Sequence, residues 1–327
     1  MGNFTSIEFE FTNRVKTEID RIKKDPIISK NQQIIQNKIT ELIPTILLEM
    51  RKEKMKALCK ITDRNLICYI SAWLQSSTMN PEYMINDNDM NGLMNAVSGI
   101  EDRSKGLDLV LHTPGGVVTA TESIVNYLRK MFDMNIRVIV PHMAMSAGTM
   151  IACSSKEIIM GKESSLGPID PQYHNVPAQG VLKEFERALK ETIISPNKSL
   201  IWREIISQYR PSFVGECENV VKMSHDLVKG WLLECMFKKS SNKESRVEKI
   251  LDELDSHDAS KMHDRHYDFV KCKDLGLKVS ALEDNQELQE AVLSLYHCYL
   301  LSIYRFPNSL KYIESQNGET FVITGKR

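Results

Sequence analysis

Hydrophobic positions divide the chain into three stretches with different periodicities. Over the first 60 residues, apolar side chains such as Val15, Ile19 and Ile22 recur every three or four positions, which predicts amphipathic helices. The middle third instead carries short, uninterrupted apolar runs that are typical of buried strands. Helical spacing returns beyond residue 180. We therefore expect a helical extension over residues 1–60, followed by one unit over residues 61–327 whose C-terminal part is helical.

The middle third alternates strand-like and helix-like segments. Apolar runs at residues 66–70, 107–111, 136–140 and 157–160 predict strands, and helical spacing fills the intervals after the second and third of them. Strands that alternate with helices form parallel sheets through crossover connections. The pattern therefore predicts an α/β fold with a parallel-sheet core. Further helices are predicted at residues 182–194, 200–209, 217–237 and 288–304, a loop at 238–245, and irregular structure at 81–91.

The amino-acid composition limits which classes of partner and which cellular compartment are expected. The 327 residues include 42 Lys and Arg against 43 Asp and Glu, for a formal net charge of -1. This balance gives no global attraction to nucleic acid, so no nucleic-acid partner is expected, although local patches remain open. Seven cysteines without a CxxC pair argue against a disulfide framework and favour a reducing compartment. With no signal peptide and no run of ~20 apolar residues, a cytoplasmic location is expected.

The first chemical motif is the sequence HTPGG at residues 112–116, directly after a predicted strand. Gly115 and Gly116 allow positive φ and a close approach of the backbone to a ligand. Their N–H groups suit the stabilisation of a developing oxyanion. A tight strand-to-helix turn without a ligand is the ordinary alternative.

The second motif places Ser146 among small residues where a strand passes into a helix. The helix N-terminus leaves the Ala147 N–H without an intrahelical acceptor, so the turn combines a hydroxyl with an oxyanion donor. A serine that merely caps the helix is the ordinary alternative. Gly115 and Ser146 are 31 positions apart, with one helix and one strand between them. That spacing puts both at the carboxyl ends of neighbouring parallel strands, where α/β sheets place their sites.

Three motifs in order, HTPGG, AMSAGTMIA and GKESSLGPIDPQ, resemble the serine dehydrogenase proteinase family, a branch of the Clp protease/crotonase superfamily. The resemblance implies a Clp protease/crotonase-like core, with helical additions at both ends, that hydrolyses peptide bonds through an acyl-enzyme. By this resemblance, Ser146 matches the nucleophile. Gly115 and Ala147 match the backbone oxyanion donors, with Gly116 beside them.

The general base is less well defined by the resemblance. In the Clp proteases a histidine follows the serine in the region that here holds Asp170, which departs from their pattern. The narrower family has a Ser, Asp, His order, in which Asp170 matches the aspartate. His263 matches the histidine, because Leu275 of the Leu-Gly-Leu sequence lies 12 positions after it. His257 is the next candidate. Signal peptide peptidases of the superfamily use a Ser–Lys dyad, for which Lys183, Lys190 and Lys198 lie in the sequence window.

A histidine-rich stretch around the expected base also raises the question of a metal. His257, His263 and His266 occur with Asp258 and Asp264 within eleven residues, a set that a metal site or an ordinary polar loop equally explains. The expected peptidase chemistry needs neither a metal nor another cofactor.

Two other functions share these motifs. A crotonase-like acyl-CoA enzyme uses paired oxyanion donors on a thioester, and a catalytically inactive scaffold on the same fold binds peptides without cleaving them. For the peptidase, the resemblance implies a peptide or protein substrate and a homo-oligomer. The chain carries no GxxxxGK[ST] motif, so any ATPase unfoldase partner would be a separate chain.

Overall fold

One mixed sheet organises the chain, with helices on both faces. The computed structural model describes residues 3–25, 31–173, 176–255, 265–317 and 320–326. Its helices are α1 (Phe4–Lys24), α2 (Gln32–Thr62), α3 (Asp89–Ser98), α4 (Val118–Phe132), α5 (Ala147–Cys153), α6 (Ala178–Ile194), α7 (Ser199–Ile206), α8 (Phe213–Trp231), α9 (Lys243–Leu254), α10 (Phe269–Leu275) and α11 (Gln286–Arg305). Its strands are β1 (Asn65–Ser71), β2 (Leu107–His112), β3 (Ile136–Val140), β4 (Met143–Ala144), β5 (Glu157–Met160), β6 (Ser165–Leu166), β7 (Gln172–Tyr173), β8 (Val176–Pro177), β9 (Val279–Ala281), β10 (Ser309–Ser315) and β11 (Thr320–Thr324).

The main sheet has the strand order β11-β10-β1-β2-β3-β5-β9. Neighbours from β1 to β9 are parallel, whereas β10 runs antiparallel to both β1 and β11. Crossover helices α4 and α5 connect β2 to β3 and β3 to β5, as parallel pairing requires. The predicted α/β class with a parallel core and helical additions is confirmed.

Each sheet face has its own apolar core. Alternate residues of β1 point to opposite sides, so Ile67 and Tyr69 pack with α3, α4, α5 and α9, whereas Leu66 and Cys68 pack with α2 and α11. This two-sided burial explains why β1 and β2 are apolar at nearly every position instead of alternating.

The N-terminal helices rest on the C-terminal helix. Ile7, Phe11 and Leu47 form a separate apolar cluster with Cys298 and Leu301 of α11. The predicted extension over residues 1–60 ends two residues before the last residue of α2. Among the described residues, no helix combines the length and hydrophobicity needed to cross a bilayer.

The C-terminal hairpin of β10 and β11 was not predicted, and it is the main difference from the expected elements. Its first strand carries Lys311 and Glu314, which made it look polar, yet both side chains are buried. Each is neutralised by a distant partner: Lys311 Nζ lies 2.6 Å from Asp89 Oδ1, and Arg51 Nη2 lies 2.9 Å from Glu314 Oε1. Buried charges are tolerated when they are paired in this way.

Other boundaries also differ from the predictions. Helix α3 begins at Asp89, inside the stretch expected to be irregular, and α9 begins at Lys243, inside the expected loop. The helix expected over residues 217–237 begins earlier, at Phe213, and its last turn, Leu232–Met236, is π-helical. Short polar segments of this kind carry weak periodicity, so tertiary packing decides their conformation.

Candidate active site

Ser146 lies in a strained turn between β4 and α5. Its backbone angles are φ 51° and ψ -115°, a positive-φ conformation that costs a non-glycine residue ~1–3 kcal/mol. A helix-capping serine has extended angles and accepts a hydrogen bond from the first turn, but the Ser146 side chain makes no such bond. The capping alternative is therefore excluded. Strained strand-to-helix turns of this type present nucleophilic serines in α/β-hydrolases.

Gly115 packs directly against this turn. Its φ is +101°, and a Cβ atom built on it would lie 2.8 Å from Ser146 Cβ and 3.0 Å from the Ala147 nitrogen. The same atom would lie 2.7 Å from the Met145 carbonyl oxygen. Real Cβ atoms do not approach backbone this closely, so both the angle and the space require glycine. The two motifs, 31 positions apart in sequence, thus meet as predicted.

The amide of Gly115 is directed to its own turn. It donates to Thr113 Oγ1 at 3.2 Å. Thr113 in turn joins the motif to the serine strand, because its carbonyl accepts from Met145 N at 3.0 Å and its amide donates to Met143 O at 3.0 Å. The expected role of Gly115 as an oxyanion donor therefore competes with an existing hydrogen bond.

Two other amides beside Ser146 have no acceptor within the described part of the chain: those of Gly116 and Ala147. The segment around Gly116 pairs with Ile85, which donates to the Gly115 carbonyl (2.8 Å) and accepts from Val117 N (2.9 Å). Pairing alternates along an extended segment, so the Gly116 N–H points away from Ile85. Both N–H groups are consequently unbonded within the described residues, and Gly116 directly follows the glycine that packs against the serine turn.

The loop after β6, residues 167–171, closes the other side of the Ser146 turn, and together with Leu166 we call it the serine loop. A Cβ atom on Gly167 would lie 3.3 Å from the Ser146 nitrogen and 2.7 Å from Met145 Cε. The Gly167 amide donates to Thr149 Oγ1 of α5 at 2.9 Å. Nothing in the local periodicity around Thr149 indicated this anchoring role, which depends on a contact across 18 positions.

Asp170 lies at the end of this loop and is only 1% exposed. The neighbouring Ile169 amide donates to Leu254 O at 2.8 Å, which fixes the loop against the end of α9. Burial raises the pKa of the nearby Asp255 carboxyl, and the charge of Asp170 raises it further, against the lowering effect of His225. Asp170 is thus placed in a polar, water-poor region at the end of the serine loop.

The two histidines proposed as base, His263 and His257, lie outside the described residues. The described residues that flank their segment are both joined to the serine loop. On one side, Leu254 accepts the Ile169 amide, as above. On the other, Tyr267 and Leu166 exchange two backbone hydrogen bonds of 2.8 and 2.9 Å. The described backbone before the histidine segment therefore ends near Asp170, and the described backbone after it begins beside Leu166.

No side chain among the described residues forms a hydrogen bond with Ser146 Oγ. Lys183 is half-buried on α6. Lys190 and Lys198 sit at the solvent-facing end of the same region, 3.9 Å from Glu186 and 3.2 Å from Glu191 respectively. The two outer lysines thus have the ordinary ion-pair role of surface residues.

Two stacked histidines, one of which is His112 itself, lie at the start of the HTPGG motif. Tyr296 Oη lies 3.3 Å from His112 Nε2 and 3.3 Å from His142 Nδ1, and the two imidazoles stack at 5.5 Å. Burial, with the neighbouring His142, lowers the pKa of His112 well below its ordinary value. Burial also lowers the pKa of His142. A neutral, closed cluster of this kind supports the strand ends that carry the site.

The remaining described histidines have partners of their own. His225 Nδ1 lies 3.1 Å from Asp255 Oδ2, and His266 Nδ1 lies 2.9 Å from Ser165 Oγ. Of the five residues in the suspected metal cluster, only His266 is described. Within the described ranges, no group of three or more His, Cys, Asp or Glu side chains is arranged to hold a metal ion.

Comparison with known proteins places this geometry in a family. The chain is 32% identical over 197 residues to the uncharacterized protein MJ0137 of Methanocaldococcus jannaschii, which covers 60% of this chain and 59% of that protein. It is 41% identical over 92 residues to the uncharacterized protein MJ1495 of the same organism, 27% of this chain and 31% of that one. The aligned regions thus span less than two thirds of either relative.

The family of ClpP-like SDH-type serine proteinases matches residues 45–317. This range includes all three motifs, the strained serine turn and every strand of the parallel core. It begins within α2 and ends before β11, so α1, the first part of α2 and β11 lie outside it. The chain therefore belongs to the ClpP-like SDH-type serine proteinase family.

Proposed function

We propose that this chain hydrolyses peptide bonds through an acyl-enzyme formed on Ser146. The observation that carries the proposal is the strained Ser146 turn, packed against Gly115 with two open amides beside it. Ser146 Oγ attacks the peptide carbonyl carbon, and the carbonyl oxygen becomes an oxyanion. The N–H groups of Gly116 and Ala147 would donate to that oxygen as its charge develops.

The base in this proposal is His263, oriented by Asp170. A serine hydroxyl is a weak nucleophile near neutral pH, and an imidazole can take its proton and return it to the leaving amine. Water, activated by the same base, then hydrolyses the ester. Two contacts support this assignment: Asp170 is buried beside the serine loop, and the backbone on both sides of the His263 segment is hydrogen-bonded to that loop.

The strained serine favours this function over the crotonase-like alternative. An acyl-CoA enzyme that only polarises a thioester needs the paired amides but forms no bond to Ser146. Backbone strain of ~1–3 kcal/mol would then serve no purpose at that residue. Thermal-shift measurements with acyl-CoA compounds distinguish the two, because a crotonase-like site should be stabilised by them and a peptide site should not.

The nucleophile is tested with a fluorophosphonate probe, which labels activated serines. We expect wild-type protein to be labelled and Ser146→Ala to lose labelling, with a fall in peptide turnover on the order of 10⁶. Ser123→Ala is the matched control, because Ser123 is exposed on α4 and bonds only to its own helix. Labelling that survives in Ser146→Ala would remove this residue from the mechanism.

The base is tested with isosteric variants. We expect His263→Gln and Asp170→Asn each to slow labelling by ~10²–10⁴-fold, whereas His257→Gln and Lys183→Met should have little effect. A loss in His257→Gln or Lys183→Met instead would move the base to that residue. Labelling without any cleavage across a diverse peptide library would support the inactive scaffold. The homo-oligomer and the separate ATPase partner remain predictions from the family resemblance.

A further inference from the structure

A second site lies at the opposite edge of the sheet. A cavity of about 850 Å³ opens at the amino ends of β5 and β9, bounded by the π-helical turn after α8 and by α9 and α10. Ser146 follows the carboxyl ends of the same set of parallel strands. The cavity is therefore separate from the candidate active site, and its function does not depend on the peptidase proposal.

The lining of this cavity is strongly basic. Six cationic side chains contribute to it, and Glu157 is the one carboxylate among its described lining residues. The Glu157 carboxylate accepts a hydrogen bond from Ser280 Oγ. The six cations are Lys156, Lys238, Lys239, Arg246, Lys273 and Lys278. Since the whole chain has a net charge of only -1, this is a local concentration of positive charge.

None of the six cations forms an ion pair with a carboxylate in the described ranges. Their contacts are with neutral groups instead. Lys156 Nζ donates to Asn135 Oδ1 at 2.6 Å, and Arg246 donates to the Gly276 carbonyl at 2.7 and 3.0 Å. Neutral acceptors hold a cation in position without cancelling its charge, so the cavity lining keeps a net positive charge, with six cations against one carboxylate.

One aromatic ring below the surface positions two of these cations. The Arg246 guanidinium lies 4.5 Å from the centroid of the buried Phe237 ring, and Lys278 Nζ lies 5.6 Å from it. Burial, together with the charges of Arg64 and Arg137, lowers the pKa of Lys156. The charged form of Lys156 is therefore disfavoured in the free cavity, and a bound anion would favour it.

The backbone around the cavity is also unusual. The turn that follows α8, Leu232–Met236, is π-helical, and two of its residues, Cys235 and Met236, line the cavity. Single π-helical turns are rare and occur frequently at functional sites. The turn leads directly into Lys238 and Lys239, so it sets where these two cations enter the cavity.

We propose that this basic cavity binds a small molecule that carries two or more clustered phosphate groups. Its volume falls within the ~300–1,000 Å³ typical of small-ligand pockets. Lysine ammonium groups bind phosphates as point charges, and several of them match a ligand with several charges better than a single carboxylate. No aromatic side chain is found among the described residues that line the cavity, so they offer bases no stacking surface, which favours a phosphorylated small molecule over single-stranded nucleic acid.

The test uses inorganic tripolyphosphate and calorimetry on the full chain. We expect saturable binding of one tripolyphosphate per chain, and binding at least ~10-fold weaker in the triple variant Lys238→Gln/Lys239→Gln/Lys278→Gln. The matched control, Lys16→Gln/Lys60→Gln/Lys222→Gln, removes the same charge from exposed lysines elsewhere and should bind within about twofold of wild type. Equal weakening in both triple variants, or no saturable binding to wild type, would overturn the proposal.

Two further measurements keep the result independent of variant folding. Acetylation of the wild-type chain with an NHS ester, read by mass spectrometry, should show tripolyphosphate protecting Lys238, Lys239 and Lys278 but not Lys16. Uniform acetylation with and without tripolyphosphate contradicts the assignment. The second measurement is competition with a single-stranded RNA homopolymer. If RNA displaces tripolyphosphate and binds more tightly, the proposal of a small-molecule ligand is wrong and the cavity binds nucleic acid.

Discussion

The two edges of one sheet differ in how their sites are built. At the carboxyl edge, Ser146, Gly115 and Gly167 bring backbone atoms into close contact, and the chemistry depends on amides and one hydroxyl. At the amino edge, the basic cavity collects long charged side chains from five separate segments, with neutral groups holding them. The first site needs small residues at fixed positions, whereas the second needs only enough positive charge around a concave surface.

This difference determines how each edge responds to substitution. A backbone site fails when an added methyl group displaces a segment by a fraction of an ångström, because its packing leaves no space. A side-chain site loses affinity gradually, one charge at a time. Substitutions at the carboxyl edge should therefore lower activity strongly, whereas substitutions at the amino edge should leave activity nearly unchanged even where they lower stability.

Gly115→Ala should produce the largest effect. The added Cβ would meet the Met145 carbonyl at 2.7 Å, and φ +101° is itself unfavourable for alanine. We expect fluorophosphonate labelling to fall at least ~100-fold and the free energy of unfolding to fall by ~1–3 kcal/mol. Labelling kinetics and chemical denaturation measure both. Gly230→Ala is the control, since nothing lies within 4 Å of its Cβ position in α8, and it should stabilise the fold by ~0.5–1 kcal/mol.

Asp108→Asn tests the amino edge by stability instead of activity. This buried carboxylate near the start of β2 accepts from Arg64 Nε at 2.7 Å and from Arg137 Nη2 at 2.7 Å. Removing its charge leaves two guanidinium groups poorly compensated, so we expect a loss of ~3 kcal/mol in the free energy of unfolding. Labelling of the folded fraction should stay within about threefold. The exposed Asp252→Asn is the control, and a matching loss there would show that the burial of Asp108 is not the cause.

Ser146→Gly sharpens the interpretation of the strained turn. Glycine adopts φ 51° and ψ -115° without the penalty paid by serine, so we expect the free energy of unfolding to rise by ~1 kcal/mol relative to Ser146→Ala, while both variants lose labelling. Denaturant titration of the two variants measures the difference. Equal stability of the two would mean that the turn stores no strain.

His112 should give the carboxyl edge a pH dependence. Its folded-state pKa lies well below the ordinary value, so the folded chain keeps it neutral while the unfolded chain takes up a proton below pH ~6.5. Stability is therefore complete above that pH and falls as the pH drops, by up to ~1.4 kcal/mol per unit. Denaturant titrations between pH 7 and pH 5 should show this slope.

His112→Asn should reduce that slope but not remove it, because the pKa of His142 is lowered in the same direction. An unchanged slope in His112→Asn would exclude this residue as its source.

Sequence patterns predicted the core of the fold because local and tertiary preferences agree there. The strands β1, β2, β3 and β5 are apolar runs buried on both faces, and α4 has a clear apolar stripe. The hairpin of β10 and β11 could not be predicted, since Lys311 and Glu314 become compatible with burial only when Asp89 and Arg51 reach them from more than 200 positions away.

The candidate active site likewise combines features that local sequence patterns predict with features that depend on distant contacts. The HTPGG and AMSAGT motifs indicated Ser146 and its neighbours because glycine and small residues leave a local signature. Which amide is free could not be predicted, as it depends on the Gly115 hydrogen bond to Thr113 and on pairing with Ile85. The assignment of His263 stays a prediction, because it falls outside the described residues.

The sequence by itself determined the parallel core, which follows from its periodicity, and its three motifs indicated the family, the serine and the glycines by resemblance. Only the tertiary structure decided the strain at Ser146, the free amides and the basic cavity. Those properties depend on distances between segments that are remote along the chain, and long flexible side chains such as lysine carry no local signature of where their charges will meet.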